Sequence, residues 1–108
     1  MTSGQINGKQ VNFLVDTGAT LVAMSSRQAR ALGVKYNHTR VGKVSTASGI
    51  AKAYPVTLKS VQIGDILVEK VAAMIIKGDS PTYPLLGNSF LSQVKIIQDN
   101  QQMLISQQ

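Results

Sequence analysis

The chain has 108 residues, of which 44% are hydrophobic and 15% are charged, and its formal net charge is +6. This length and composition are typical of a single folded domain spanning residues 1–108 rather than of a disordered chain. Cys is absent and His38 is the only histidine, which excludes disulfides, thiol nucleophiles and zinc sites built from several Cys or His ligands. Five dispersed acidic residues offer no calcium cluster, so we expect no metal and no cofactor.

The positive charge is spread along the chain as single Lys and Arg residues. Because no aromatic residues are interleaved with them, the pattern lacks the stacking platform of single-strand nucleic-acid binders, and we expect no nucleic-acid partner. No apolar run approaches the roughly 18 residues of a membrane span, so we expect no membrane contact by this domain itself. No secretory signal is visible at the N-terminus. We expect a periplasmic or membrane-anchored location if a preceding segment was removed, and a cytoplasmic location otherwise.

The first third of the chain predicts short strands and one helix. Asn7-Gly8 between apolar flanks predicts a hairpin, whose second strand alternates over residues 11–15 with the odd-numbered positions facing the same way. Residues 21–24 predict a third strand. Ser25, with Gln three residues later, forms a capping box, and Gly33 is placed to end the helix that the box begins.

The middle of the chain predicts a second hairpin over residues 41–54, with a small polar tip and weakly apolar arms that project from the body. Pro55 predicts the beginning or the edge of a strand over residues 56–63, interrupted near Lys59-Ser60. The rest predicts a turn at Gly64-Asp65, a long strand over 66–76, a loop over 77–84, a helix ending at Gln93, and strands over 94–98 and 102–106. The predicted fold class is therefore all-β, with closed or orthogonally packed sheets and one or two short helices.

One carboxylate in this pattern is unusual because Asp16 directly follows an apolar strand. An ionised aspartate is costly to desolvate, so a position beside a core calls for polar partners or a function. Taken alone, Asp16-Thr17-Gly18 fits an ordinary strand-end turn, because all three residue types are common in turns. A sharper interpretation depends on the rest of the chain.

Three segments together resemble the retropepsin-like aspartic proteases, particularly the small bacterial single-domain members. Residues 13–20, Phe-Leu-Val-Asp-Thr-Gly-Ala-Thr, resemble the catalytic motif, and residues 45–54 lie where that family has its flap hairpin. Residues 85–91, Leu-Leu-Gly-Asn-Ser-Phe-Leu, resemble the second signature, an apolar-apolar-Gly segment followed by a short helix. The resemblance covers about residues 4–106. It implies a small closed β-barrel of the retropepsin type and an aspartic endopeptidase that hydrolyses peptide bonds in peptide or protein substrates.

The resemblance also implies roles for individual residues. They are catalytic Asp16; active-site support from Thr17, Gly18, Ala19 and Thr20; a flap tip of Ala47, Ser48 and Gly49; and packing beside the catalytic turn by Leu85, Leu86 and Gly87. Thr17 is expected to hydrogen-bond across a dimer, Gly18 to allow close backbone approach, and Thr20 to donate its hydroxyl to the outer oxygen of Asp16.

Aspartic proteolysis needs two neighbouring carboxylates that share a proton, and this chain has a single Asp-Thr-Gly. Asp65, Asp79 and Asp99 are not followed by Thr-Gly or Ser-Gly. One chain would therefore supply half a site, and the resemblance implies a homodimer in which two copies of Asp16 meet at the two-fold axis.

The chain departs from retroviral members at two positions, where Thr20 and Asn88 replace a frequent Asp and Arg, so the ion pairs made there are expected to be absent. Residues 101–108 are available for a terminal sheet between subunits.

Two alternative functions stay open. One is the same fold used for dimerisation or peptide binding with little or no hydrolysis, and the other is a basic β-barrel that binds nucleic acid.

Overall fold

The structure is a computed structural model that describes residues 1–46 and 49–94. Within these ranges the chain forms seven strands and two short helices. In chain order they are β1 (Thr2–Ile6), β2 (Lys9–Val15), β3 (Val22–Ser25), α1 (Ser26–Leu32), β4 (Gly42–Thr46), β5 (Gly49–Ile63), β6 (Ile66–Ile76), β7 (Leu85–Leu86) and α2 (residues 88–94). No helix in the described ranges is long and apolar enough to cross a membrane.

Six of the strands close into a barrel. Their order around the ring is β1-β2-β7-β3-β6-β5, and a short antiparallel pairing of β1 with β5 completes the closure. The remaining strand, β4, has β5 as its sole pairing partner among the described strands and extends outside the ring as one arm of a hairpin. The predicted all-β closed barrel with short helices is confirmed, because the two outer strands of the ring, β1 and β5, pair with each other.

The turn between β1 and β2 takes part in closing the barrel. Asn7 has φ 52° and Gly8 has φ 82°, both in the left-handed region that the predicted Asn-Gly hairpin turn requires. The Asn7 amide donates to the carbonyl of Ser60 at 2.9 Å. Its side-chain oxygen accepts from the amides of Lys59 at 2.8 Å and Ser60 at 3.3 Å. Asn7 therefore hydrogen-bonds to Lys59 and Ser60, the two residues of β5 at which the sequence pattern predicted an interruption.

Replacing Asn7 with Ala is expected to lower the free energy of unfolding by about 2 kcal/mol, since the variant loses an acceptor for two amides and puts a Cβ-bearing residue without a local hydrogen bond in the left-handed region. Asn7→Gly keeps the backbone conformation accessible and is expected to cost about 1 kcal/mol. Urea unfolding of the three proteins measures both values. Equal stability of wild type and Asn7→Ala would show that the turn does not help to close the barrel.

The predicted beginning of a strand at Pro55 is wrong, whereas the predicted edge position is confirmed. Pro55 lies inside the continuous strand β5, opposite Met74 of β6. The opposite edge of β5 pairs with β4 up to Ala53 and with β1 only from Val61, so it carries no ladder between these points. Pro lacks an N–H donor, and it is tolerated here because that edge of the strand needs none.

The core is mainly aliphatic, with three buried aromatic rings, those of Phe13, Tyr54 and Phe90. Its largest fully buried side chains include Ile6, Phe13, Met24, Leu58, Ile75, Leu86 and Phe90. Burial of each contributes about 1.5–3 kcal/mol. The helix α1 packs the buried Ala29 and the partly buried Leu32 against this core. Its predicted capping box at Ser25 is confirmed, and so is its end at Gly33, which has φ 69°.

The C-terminal predictions reach past the described ranges. A strand was predicted to begin at Val94, but this residue is the last described position of α2, so that boundary is wrong. Helical periodicity starting at residue 88 continues through Val94, which packs as a partly buried residue against the core. The remainder of that strand, the turn after it and the strand over 102–106 lie outside the described residues.

Candidate active site

Asp16 lies where β2 leaves the barrel. Val15 pairs in parallel with Leu86, and the Asp16 amide then donates to the Leu86 carbonyl at 3.2 Å. The chain turns at once, because the amide of Ala19 donates to the Asp16 carbonyl at 3.1 Å. The Gly18 amide donates to Oδ1 of the Asp16 side chain at 3.0 Å. One carboxylate oxygen is thus held by the loop, while Oδ2 makes no hydrogen bond with any described residue.

The loop is narrow around this carboxylate. A Cβ at Gly18 would lie 3.3 Å from Oδ1 of Asp16, so a larger residue would crowd the oxygen that the amide holds. Thr17 and Thr20 are exposed, and the hydroxyl of Thr20 makes no hydrogen bond to Asp16 within residues 1–46 and 49–94. In the single chain, the backbone of Gly18 orients the carboxyl instead.

The second predicted segment lies directly beside this loop. Leu85 pairs in parallel with Leu14 and antiparallel with Ala23, which places the two-residue strand β7 between β2 and β3. Gly87 follows at a point with no space for a side chain. A Cβ there would lie 2.1 Å from the carbonyl oxygen of Leu21 and 2.9 Å from that of Ala19. The structure therefore brings the two sequence segments together through backbone contact.

The first residues of α2 hold the far side of the Asp-Thr-Gly loop. The amides of Asn88 and Ser89 donate to the carbonyls of Ala19 and Thr20, each at 2.8 Å. The Asn88 side-chain amide also donates to the Thr17 carbonyl at 2.9 Å. Sequence reasoning treated Asn88 only as the replacement of an Arg. Its position directly after an apolar-apolar-Gly segment was the signal that could have identified it as a residue that supports the loop.

Ser89 makes a second connection beneath the loop, which the sequence did not indicate. Its hydroxyl accepts from the Val22 amide at 2.9 Å and donates to the Ala72 carbonyl at 2.7 Å. The side chain therefore ties α2 to β3 and β6, next to the point where the chain leaves the loop. Because it is partly buried and fully paired, it stabilises the floor of the site rather than facing a ligand.

A groove of about 890 Å³ opens above Asp16. Its lining is mainly apolar and comes from the loop, from β3, from both arms of the β4–β5 hairpin, from the end of β6 and from the following loop. The apolar lining residues are Ala19, Leu21, Ala23, Val44, Ala51, Met74, Ile76, Pro81 and Leu85. This volume is within the range of sites that bind drug-sized ligands or short peptide segments.

The hairpin arms form one side of the groove. Val44 of β4 pairs with Ala51 of β5, and both line the groove together with Ser45. Of the three predicted flap-tip residues, Gly49 begins β5, whereas Ala47 and Ser48 lie outside the described residues. The arms of the predicted hairpin are thus present, and they line the groove above Asp16.

The strand leading to Asp16 ends in exposed apolar side chains. Leu14 is 49% exposed and Val15 is 48% exposed, whereas Phe13 is fully buried. The predicted alternation, with Val15 on the same side as Phe13, does not lead to equal burial. The reason is that β2 reaches the rim of the barrel at Val15, where no described element covers it.

No group of three or more His, Cys, Asp or Glu side chains that could hold a metal ion occurs in the part of the chain that the structure describes. The groups that the loop presents are a carboxylate, backbone amides and hydroxyl groups. A carboxylate with one free oxygen, at the base of an apolar groove, can act as a general base or acid toward a bound molecule.

Comparison with known proteins agrees with this geometry. The family described as gag-polyprotein putative aspartyl protease matches residues 2–93. An uncharacterised Sinorhizobium protein from the cobV 5′ region is 35% identical over 98 residues, which cover 90% of this chain and 42% of that protein. An uncharacterised Rickettsia prowazekii protein is 38% identical over 60 residues, 55% of this chain and 26% of its own length. The chain therefore spans less than half the length of these two relatives.

Two solved structures share the fold. A retropepsin-like aspartic protease from Rickettsia conorii is 32% identical, with a TM-score of 0.70 over 84% of this chain and 75% of its own. The EIAV protease, in complex with the inhibitor HBY-793, has a TM-score of 0.62 over 87% of this chain and 86% of its own. At 22% identity the second likeness concerns the fold alone. The barrel, the paired loops and these matches together show that the chain belongs to the retropepsin-like aspartic protease family.

Proposed function

We propose that this chain is one subunit of a homodimeric aspartic endopeptidase in which Asp16 of each subunit forms the catalytic pair. The observation that carries the proposal is the placement of the Asp-Thr-Gly loop: backbone contacts from Leu86, Asn88 and Ser89 fix it at the base of an apolar groove. The same loop leaves one Asp16 oxygen free of hydrogen bonds within the described chain.

The proposed mechanism depends on the repulsion between two close carboxylates, because this repulsion sets their protonation. Both cannot be ionised at once, so the two Asp16 side chains share one proton and act as a unit. The ionised carboxylate takes a proton from a water molecule while the water oxygen attacks the scissile carbonyl carbon. The protonated carboxyl group donates its proton to the developing oxyanion. Proton transfer to the leaving amine then completes cleavage without a covalent intermediate.

The neighbouring residues have supporting roles in this proposal. Gly18 orients Asp16 through its amide, and Thr17, which is exposed, would hydrogen-bond with the partner's loop. Ala19 and Thr20 follow the turn directly and both line the groove, so in this proposal they would contact substrate. Leu85, Leu86 and Gly87 keep the loop in register with the barrel.

A second subunit would also cover the exposed apolar end of β2. Leu14 and Val15 lie directly before Asp16, each about half exposed, and burying such side chains is favourable by about 25 cal/mol per Å² of apolar surface. The Asn88 side chain bonds to Thr17 of its own chain, so the loop is stabilised without the Arg of retroviral members. Dimerisation here would rest on apolar contact and loop hydrogen bonds.

The substrate that fits the groove is an extended peptide with apolar side chains next to the scissile bond. The β4–β5 hairpin presents strand backbone along one side of the groove, and an extended peptide can add to it by main-chain hydrogen bonds. The predicted flap tip of Ala47, Ser48 and Gly49 would close over the peptide and exclude water.

The proposal is tested by digesting a peptide library with the wild-type protein from acid to neutral pH, with the Asp16→Asn variant as the negative control. We expect cleavage between apolar residues, with a rate that falls at both ends of the pH range because one proton must be shared by the pair. Specific activity should also fall on dilution, in step with dissociation measured by sedimentation. Peptide binding without cleavage at high protein concentration would instead support the alternative of a binding module with this fold.

A further inference from the structure

The charges of this basic chain are distributed unevenly around the groove. Four acidic side chains lie in the described residues, and two of them, Asp16 and Asp79, line the groove. Of the Lys and Arg residues in the same ranges, only Lys77 lines it. The groove is therefore acidic relative to a chain whose net charge is +6. A peptide with a cationic side chain would be attracted to the groove and repelled by the basic surface elsewhere.

Asp79 belongs to a loop that is firmly attached to the beginning of α1. The hydroxyl of Ser26 donates to the Gly78 carbonyl at 3.1 Å and accepts from the Gly78 amide at 2.9 Å. The Arg27 amide donates to the same carbonyl at 3.3 Å, and the side-chain amide of Gln28 donates to the carbonyl of Thr82. These hydrogen bonds bracket Asp79 on both sides, so its carboxylate is presented from a held backbone rather than from a free loop.

The carboxylate of Asp79 has no partner within the described chain. It is exposed, and no Lys, Arg or His of residues 1–46 and 49–94 forms an ion pair with it. The next residues in the loop, Ser80 and Pro81, also line the groove, so the carboxylate stands beside an otherwise apolar wall. A charged group at the edge of an apolar groove selects for a ligand with an apolar stem and an opposite charge at its end, as in Lys and Arg.

We propose that Asp79 is a specificity-determining residue that favours peptides carrying Lys or Arg close to the scissile bond. The proposal rests on the proposed function, because it assigns a substrate class to that same groove. Lys77 weakens the expected preference for cationic peptides, because its positive charge lines the same groove two residues from Asp79. In a two-fold symmetric dimer, Asp79 occurs once on each side of the catalytic pair, so the preference should appear at positions on both sides of the cleaved bond.

The test uses one cleaved peptide in which each flanking position is replaced in turn by Lys, Arg, Gln or Glu. We expect wild type to cleave the best Lys or Arg peptide with a kcat/KM about fivefold above its Gln counterpart, the effect of one partly exposed ion pair. The Glu counterpart should be the poorest. In Asp79→Asn the ratio of cationic to Gln peptide should fall to about one, and in Lys77→Gln it should rise. Added salt should reduce the ratio in wild type, because it screens the ion pair.

A matched control is Asp65→Asn, which removes the same charge from the turn between β5 and β6, outside the groove lining. It should keep the wild-type ratio. The proposal is overturned if wild type cleaves cationic and Gln peptides equally, or if Asp79→Asn keeps the preference.

Failure of the proposed function would look different, because no peptide would be cleaved at all. In that case the affinity of fluorescent Lys and Gln peptides is compared for wild type and Asp79→Asn by fluorescence polarisation. A cationic preference that disappears in Asp79→Asn would support the assignment of Asp79, whereas equal affinities would refute it.

Discussion

Replacing Asp16 with Asn is expected to lower kcat for peptide cleavage by at least about 10³-fold. The variant has no carboxylate to accept the proton of the attacking water, and general acid–base catalysis alone typically contributes 10²–10⁴-fold. Asn keeps the size of the side chain, and its amide oxygen can still accept from the Gly18 amide as Oδ1 does at 3.0 Å. Stability should therefore change little. The measurements are initial cleavage rates and urea unfolding of both proteins.

The same variant tests whether two subunits share one site. When wild-type and Asp16→Asn chains are mixed in equal amounts and allowed to exchange, about a quarter of randomly formed dimers contain two intact Asp16 residues. Activity per wild-type chain should then fall to about half of its unmixed value, provided that the mixed dimer is inactive.

Two results would contradict the paired-carboxylate mechanism. One is cleavage by Asp16→Asn at the wild-type rate, which would place the chemistry elsewhere or in a contaminant. The other is wild-type activity that is insensitive to added Asp16→Asn chains although sedimentation shows exchange, since that result would make each chain a complete site.

Gly87→Ala is expected to have the largest effect on stability among the glycine substitutions at the site. The new Cβ would lie 2.1 Å from the carbonyl oxygen and 2.6 Å from the carbonyl carbon of Leu21, both of them backbone atoms that cannot rotate away. Either the Asp-Thr-Gly loop or β7 must move. Overpacking of this kind costs about 3 kcal/mol or more. Thermal and urea unfolding measure the loss, and peptide cleavage should be lost as well because the loop is displaced.

The matched control for Gly87→Ala is Gly42→Ala at the beginning of β4. There the nearest atom to an added Cβ, apart from the adjoining residues, is the Ala53 carbonyl oxygen at 3.8 Å, an ordinary van der Waals distance. Its stability should stay within about 0.5 kcal/mol of wild type. If Gly87→Ala were as stable as Gly42→Ala, the contact between Gly87 and the Asp-Thr-Gly loop would not be needed for folding.

Much of the local structure could be predicted because it depends on neighbours in sequence. The Asn7-Gly8 turn, the capping box at Ser25 and the end of α1 at Gly33 each rest on conformational preferences of one to four residues. The strand over residues 66–76 was predicted with its observed bounds, since a long apolar run between turn residues leaves few alternatives. The resemblance of three short segments then predicted the closed barrel.

The tertiary structure decided what depends on residues far apart in the chain. Pro55 lies inside β5 because of the gap between two pairing partners on one edge. The exposure of Val15 depends on where the barrel rim lies, and the support of the loop by Asn88 depends on a contact across 71 residues. The place of Asp79 in the groove depends on hydrogen bonds from the beginning of α1.

Apolar periodicity, turn chemistry and one short motif are all local signals, so the strand-rich fold and the candidate role of Asp16 could be predicted from the sequence alone. The groups that hold this carboxylate and the groups that line the groove above it became known from the folded structure. These relations are set by packing and hydrogen bonds between distant segments, for which a single sequence carries no direct signal.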